Sequence, residues 1–302
     1  MCILLASSAH PRYSLILISN RDEFYERETQ HTTLDKDEFI LCPIDLALNS
    51  EGTSKRGTWC GVNKDGKISV VLNLRHNRPR QAGSSANPVF SRGSVPMKFL
   101  SERTPFSEWD TFEKFAHKFP ALRNGDLNLF VGDCKAGKFT AMDSFGLSMP
   151  VLTSENRSFV MSNDFVGSSE KWPKVKTAET LLLQLVRNST TATEDQLIEQ
   201  CLQIASYSEC DESSAISKEQ LTTRNIFVPP LSANSKTNVG ATLACGRYYG
   251  TRSQIVVLVS RTEPVVTFVE QVLHDSDSDA TTFSPSNPKQ RVKFKLNLES
   301  RL

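Results

Sequence analysis

Apolar runs mark strands at both ends of the chain. Leu15–Ile18 is a continuous apolar run of the kind that forms a fully buried strand, and we expect Cys2–Leu5 to pair with it antiparallel across a loop at His10-Pro11. Two apolar arms over 57–73 flank Asn63–Gly66, whose Asp-Gly pair suits a tight turn. One or two short strands are expected within 26–45. Further strands are predicted at 127–133, 138–142, 158–164, 242–245, 250–259, 265–270 and 292–298.

Helical periodicity is confined to the middle of the chain. Aromatic residues repeat at helical spacing over 105–119, which predicts a helix packed into a core. Thr193 is a suitable N-cap for one of the later helices. The other helices are predicted to open at 95–97, to run from 172–174 to about 187, and to cover 193–206. Strands at both ends around central helices indicate one α+β domain over 1–302, with mobile loops near 79–94, 207–223 and 275–289.

The residues around Cys2 suggest chemistry. A small residue after an initiator methionine usually allows its removal, which leaves a thiol and an α-amine together on Cys2. Such an amine has a pKa of roughly 7.7–8 and can accept the thiol proton, as in N-terminal nucleophiles. Antiparallel pairing places Cys2 near Asn20 and Asp22, where the carboxylate can hold or orient the amine. Arg21 can favour the thiolate.

Each of these positions also has a purely structural interpretation. Cys2 can be an apolar strand residue, and Asn20–Glu23 a solvated strand end. Asn73 ends the second arm of the 57–73 hairpin, where its amide can donate to an oxyanion or cap a loop. Cys42-Pro43 can supply a thiolate to haem iron or form a plain loop. The basic stretch 75–80 can be a solvated loop or a site for an anionic ligand.

Composition narrows the class of protein. A net charge of +1 indicates no bulk attraction to nucleic acid or anionic membranes. Seven widely spaced cysteines without a Cys-x-x-Cys pair exclude a disulfide scaffold and a zinc ribbon and favour reduced thiols in the cytoplasm. No apolar run approaches the roughly twenty residues of a membrane span, and the N-terminus is a poor signal peptide. We predict no metal and no required cofactor.

Several segments together resemble one family. Met1-Cys2-Ile3 followed by Ser19–Tyr25 resembles the start of the NRDE family, also called the transport and Golgi organisation protein 2 family. Four further segments resemble it in the same order, namely Gly57–Gly61 with Trp59, Ser162-Asn163, Trp172-Pro173-Lys174 and Tyr249–Arg252. The resemblance implies a four-layer αββα sandwich of the N-terminal-nucleophile hydrolase type, distantly similar to choloylglycine hydrolases and penicillin V acylases.

The resemblance also implies roles for individual residues. The catalytic group it implies is Cys2, Asp22, Asn73 and Asn163. Together with the charges of Arg21 and of the basic stretch, it leads us to predict Asn20, Arg21, Glu23, Trp59, Arg75 and Arg252 as ligand-binding residues. Ser19 stands where the acylases carry an arginine, while Arg21 occupies their variable position.

Two functions are expected. Reports on the family link it to haem mobilisation, Golgi organisation, secretion and lipid metabolism. They imply a haem-handling protein with haem as cargo, in the cytoplasm in association with mitochondria or Golgi. The residues around Cys2 instead favour a Cys2-dependent amidohydrolase acting on a small amide or lipid-like substrate. A scaffold in secretory traffic is a third interpretation. The leading two require a small-molecule ligand and no nucleic acid, and protein partners are not indicated.

Overall fold

The described residues form two compact units, each built on an antiparallel sheet. A computed structural model describes residues 1–35, 37, 39–46, 57–75, 91–118, 126–209, 217–232 and 245–299. Unit 1 comprises Met1–Arg27, Ser154–Ser162 and Ser169–Asn297, and unit 2 comprises Glu28–Thr153, Asn163–Ser168 and Leu298–Leu302. Each contains one seven-stranded sheet. The predicted α+β class is therefore confirmed.

The secondary structure follows the hydrophobic pattern closely. The strands are β1 (Ile3–Ser7), β2 (Tyr13–Phe24), β3 (Thr29–Leu34), β4 (Ile40–Asp45), β5 (Cys60–Asn63), β6 (Lys67–Asn73), β7 (Leu127–Asp133), β8 (Lys138–Asp143), β9 (Ser148–Val151), β10 (Ser158–Met161), β11 (Leu231–Ser232), β12 (Tyr248–Ser260), β13 (Val265–Val272) and β14 (Gln290–Asn297). The α-helices are α1 (Ser94–Ser101), α2 (Phe112–Lys118), α3 (Pro173–Asn188), α4 (Glu194–Ala205) and α5 (Lys218–Arg224). None of them combines the length and apolar character needed to cross a membrane, within the described parts of the chain.

Unit 1 joins the two ends of the chain in one sheet. Its strands lie in the order β10-β1-β2-β12-β13-β14, and β11 pairs with β12. The predicted pairing of β1 with β2 is confirmed, with Ile3 opposite Asn20. Helices α3 and α4 bury their apolar faces against residues of this sheet. Thr193 caps α4 in a capping box with Gln196, as predicted.

Unit 2 is a meander. Its strands follow one another in sequence order from β3 to β9. The predicted β5–β6 hairpin turns at Gly66, whose φ of +86° lies in the left-handed region. Helix α1 packs on β5 and β6. It buries Phe99 edge-on against Trp109, with ring centroids 5.3 Å apart. Each unit thus supplies a sheet and a helix layer.

Three local predictions were wrong. Asn20–Glu23 do not end a strand, because β2 continues to Phe24 and pairs with β12 over this stretch. All four of these side chains are buried. The predicted helix over 105–119 is divided into a short 3-10 helix at Phe106–Glu108 and α2. The predicted loop over 207–223 contains the start of α5, where Ser217 and Gln220 form a capping box.

Other predictions fall partly outside the described residues. Most of the 79–94 loop, part of the 207–223 loop and the strand at 242–244 belong to this group. Within 275–289, a short 3-10 helix spans Asp277–Thr281, and Asp279 is buried in it. The Asp279 carboxylate receives a hydrogen bond of 2.9 Å from Lys289. A single domain over 1–302 and the mobility of these loops stay predictions.

Candidate active site around Cys2 and Asp22

Cys2 lies beside the main chain of Asp22 in unit 1. The Asp22 N–H donates to Cys2 Sγ at 3.4 Å, and the thiol lies 3.7 Å from the Asp22 carbonyl oxygen. Ser162 donates its hydroxyl to the Cys2 carbonyl at 2.7 Å. Cys2 is partly exposed, whereas Asp22 is buried. The antiparallel register therefore brings together the first two residues of the predicted catalytic group.

The Asp22 carboxylate is the anion of this site. Its Oδ2 lies 2.9 Å from the α-ammonium of Met1, and its Oδ1 accepts a hydrogen bond of 2.7 Å from Thr251. Lys174 Nζ lies 4.0 Å from Oδ2. The α-ammonium also donates to the Tyr249 hydroxyl. One buried carboxylate thus faces two buried cations, and its charge offsets the cost of removing them from water.

Sequence reasoning missed three of these residues. Lys174, Tyr249 and Thr251 surround Asp22, yet within the segment Tyr249–Arg252 only Arg252 was predicted to bind ligand. A signal was present, because all three lie in segments that resemble the family. A sequence motif, however, does not show which of its side chains faces a site.

Burial shifts the charge states of the site. It lowers the pKa of the Met1 α-ammonium, although Asp22 acts in the opposite direction. Burial raises the pKa of the Cys2 thiol, against the effect of the α-ammonium. Arg21 lowers the pKa of the thiol, as predicted, but the opposing effect of burial is larger. A thiol that holds its proton needs a base before it can attack a carbonyl, and an adjacent α-amine whose pKa is lowered by burial gives up its own proton more readily than a free one.

The remaining predicted residues of unit 1 hold the main chain. Asn20 donates its amide hydrogens to the carbonyls of Ala205 at 2.7 Å and Ile226 at 2.8 Å. Arg21 lies 3.9 Å from the Glu23 carboxylate. Alternation along β2 places the side chains of Arg21 and Glu23 on the opposite face from that of Asp22.

Arg252 occupies an irregular position in β12. The pairing of β12 with β2 shifts register between Thr251 and Ser253. The Arg252 side chain donates to the main-chain carbonyls of His274, at 2.9 Å, and Arg27. Its hydrogen bonds therefore tie the bulge to neighbouring segments of unit 1.

A second group of predicted residues belongs to unit 2. Asn163 donates its amide to the Asn73 carbonyl at 2.6 Å, and the Arg75 N–H donates to the Asn163 carbonyl at 2.7 Å. Among the residues that the structure describes, the buried Asn163 side-chain oxygen has no hydrogen-bond partner. Trp59 is buried, and its carbonyl accepts from the Val71 N–H at 2.9 Å. Asn73 ends β6, as predicted.

Donor atoms for a metal are scattered. In the described part of the chain, no three or more His, Cys, Asp or Glu side chains form a cluster suited to a metal ion. Cys42, considered as a haem ligand or a loop residue, lies instead in β4 and is buried. Its thiol is 3.8 Å from Met97 Sδ, a contact typical of core packing.

His274 should make unit 1 sensitive to acid. Its ring stacks on Tyr25 with centroids 4.3 Å apart, and burial lowers its pKa. Between this lowered pKa and the unfolded value of about 6.5, the unfolded chain binds more protons, so stability falls as the pH falls through this window. The expected slope from one histidine is at most about 1.4 kcal/mol per pH unit. Urea unfolding at several pH values should show a smaller slope for His274→Gln; equal slopes would contradict the prediction.

Fold and site together define an α+β protein with a buried carboxylate–ammonium site beside an N-terminal thiol. The family model Transport and Golgi organisation 2 (TANGO2) matches residues 1–275, and the chain belongs to this family. It is 40% identical over 316 residues to the uncharacterized protein YGR127W of Saccharomyces cerevisiae, covering 99% of this chain and 100% of that protein. It is 26% identical to the Transport and Golgi organization protein 2 homolog of Homo sapiens, covering 88% of each.

Solved structures similar to the chain include a conjugated bile acid hydrolase. The C2A mutant of this hydrolase from Clostridium perfringens matches with a TM-score of 0.41 and 10% identity, over 99% of this chain and 94% of that one.

Proposed function

We propose that this chain, after removal of Met1, is a Cys2-dependent amidohydrolase. The observation that carries the proposal is the position of Asp22 beside both the Met1 α-ammonium and the Cys2 sulfur. Its carboxylate binds the chain's α-ammonium at 2.9 Å, and its N–H lies 3.4 Å from the Cys2 sulfur. Hydrolysis of the Met1–Cys2 peptide bond releases Met1 with its own amine and turns the Cys2 nitrogen into the chain's α-amine, so that nucleophile and base share one residue.

The proposed reaction splits amide hydrolysis into two steps. The neutral α-amine takes the thiol proton, and the sulfur attacks the amide carbonyl carbon. The C–N bond then breaks, and the α-ammonium passes its proton to the leaving amine. Water next attacks the thioester, which releases a carboxylic acid and restores the thiol. Asp22 orients the amine throughout. Asn73 and Asn163 as oxyanion donors stay predictions, and the proposed substrate is a small or lipid-like amide.

Acyl transfer to Cys2 tests this function. A chain prepared to begin at Cys2 should be acylated by 4-nitrophenyl acetate at Cys2 faster than at Cys245, as measured by peptide mass spectrometry. Cys245 is a matched control because it is also partly exposed and burial also raises its pKa. Cys2→Ala should take no acetyl group at position 2 and should leave Cys245 unchanged. Acylation of Cys2 no faster than that of Cys245 would overturn the proposal.

The state of Met1 is a separate question. The intact mass of the protein purified from its own cell type shows whether Met1 is retained. Comparison of the chain that keeps Met1 with the chain that begins at Cys2 then separates a processing failure from an inactive site. We expect rapid acylation of Cys2 only in the chain that begins at Cys2, because only there is the amine on the nucleophilic residue.

Haem handling is a second proposal, with haem as cargo. The family description names transport and Golgi organisation, and haem as the cargo rests on the family resemblance alone. Action in the cytoplasm, in association with mitochondria or Golgi, is proposed with it. Titration of the purified protein with haem tests cargo binding: an unshifted haem absorption band at micromolar protein would count against it.

A further inference from the structure

The burial of Lys174 is unfavourable for the stability of the folded protein. Its side chain is fully buried, and burial lowers its pKa. It also lies in the first turn of α3, where the positive end of the helix dipole disfavours a cation. An apolar side chain of similar length would avoid both costs. Buried charged groups with such shifts cluster at functional sites.

The Lys174 ammonium lies between the Met1 carbonyl and the Asp22 carboxylate. Its Nζ donates to the Met1 carbonyl oxygen at 2.5 Å and lies 4.0 Å from Asp22 Oδ2. The Met1 carbonyl is the acyl half of the amide bond that precedes Cys2. Lys174 therefore donates to an amide carbonyl oxygen directly adjoining the residue that carries the thiol.

We propose that Lys174 stabilises the oxyanion that forms when Cys2 attacks the substrate's acyl group. This inference rests on the proposed function. Removal of Met1 takes away the oxygen to which Nζ donates, while α3 keeps the ammonium beside Cys2 and Asp22. The carbonyl oxygen of a bound acyl substrate takes that place. The charged donor then acts on a developing negative charge in a site of low dielectric, where such hydrogen bonds are strongest.

The role of Lys174 in the step is electrostatic. As the Cys2 sulfur bonds to the carbonyl carbon, the π-electron pair moves to oxygen, and the Lys174 ammonium donates a hydrogen bond to it. When the tetrahedral intermediate collapses, that pair re-forms the carbonyl and the C–N bond breaks. Lys174 keeps its proton throughout, so proton transfer stays with the α-amine of Cys2.

Two reagents separate this role from a general effect on the thiol. Acylation by 4-nitrophenyl acetate passes through an oxyanion, whereas alkylation by iodoacetamide does not. In the chain that begins at Cys2, Lys174→Met should lower the ratio of acylation to alkylation at Cys2 by about 10²–10³-fold. The control Lys171→Met should keep the ratio, because Lys171 is an exposed lysine paired with Glu179 just before α3.

The outcomes are distinct. An unchanged ratio in a folded Lys174→Met variant overturns the role of Lys174 while leaving Cys2 as the nucleophile. If neither reagent reacts at Cys2 in the unmutated chain, the proposed function fails instead. Should Lys174→Met not fold, the ratio is followed against pH in the unmutated chain. It should fall as Lys174 loses its proton, and a flat ratio across that titration overturns the proposal.

Discussion

Asp22→Asn is expected to lower the free energy of unfolding by about 3–5 kcal/mol. The substitution keeps the size of the side chain and removes its charge. It leaves the buried Met1 α-ammonium and the buried Lys174 without the carboxylate that lies 2.9 Å and 4.0 Å from them. Unpaired buried cations cost far more than exposed ones. The measurement is urea unfolding followed by circular dichroism near neutral pH.

Two comparisons make this result specific to the buried site. Asp195→Asn removes a carboxylate that is largely exposed and paired with Lys293 at 2.7 Å, and should change stability little. The double variant Asp22→Asn with Lys174→Met lacks one of the two uncompensated cations. Its loss of unfolding free energy should therefore be smaller than the sum of the losses in the two single variants. An Asp22→Asn chain that unfolds at the same urea concentration as the unmutated chain would contradict the electrostatic account.

Phe99→Ala is expected to destabilise the protein by about 3–5 kcal/mol. Phe99 is fully buried on α1 of unit 2, and its ring meets Trp109 and Phe106 edge-to-face at 5.3 and 6.4 Å. Lys67 Nζ lies 5.0 Å from the ring centroid. The substitution removes these contacts and leaves a cavity among rigid aromatic neighbours, which close such a space poorly. Urea unfolding measures the loss.

Phe145→Ala is the matched control, because it deletes the same atoms from a side chain that is 36% exposed. Its ring contacts Phe165 at a centroid distance of 5.3 Å, so a small loss of about 1 kcal/mol is expected. Equal losses for both variants would show that the core around Phe99 relaxes and fills the cavity.

The contacts of Asn20, Asp22 and Glu23 explain why β2 can bury four polar residues in a row. Asp22 binds cations, Glu23 accepts the Phe24 N–H at 2.9 Å, and Asn20 bonds to two carbonyls. Each contact offsets part of the cost of burial. Such an arrangement adds little net stability, and the proposed function gives it a role in catalysis.

The sequence by itself determined several secondary-structure elements and the proximity of Cys2 to Asp22. Turn chemistry and alternation identified the β1–β2 and β5–β6 hairpins, and periodicity identified α3 and α4. Counting along an antiparallel pair then placed Cys2 beside Asp22, because the register of a hairpin follows from its apolar pattern.

Only the tertiary structure decided the electrostatics of the site. Asn20–Glu23 are buried because β12, from the far end of the chain, pairs with β2. Lys174 faces Asp22 because α3 packs on the sheet of unit 1. The directions of the Cys2 and α-amine pKa shifts depend on removal from water. Such burial results from contacts between distant segments, which local spacing does not encode.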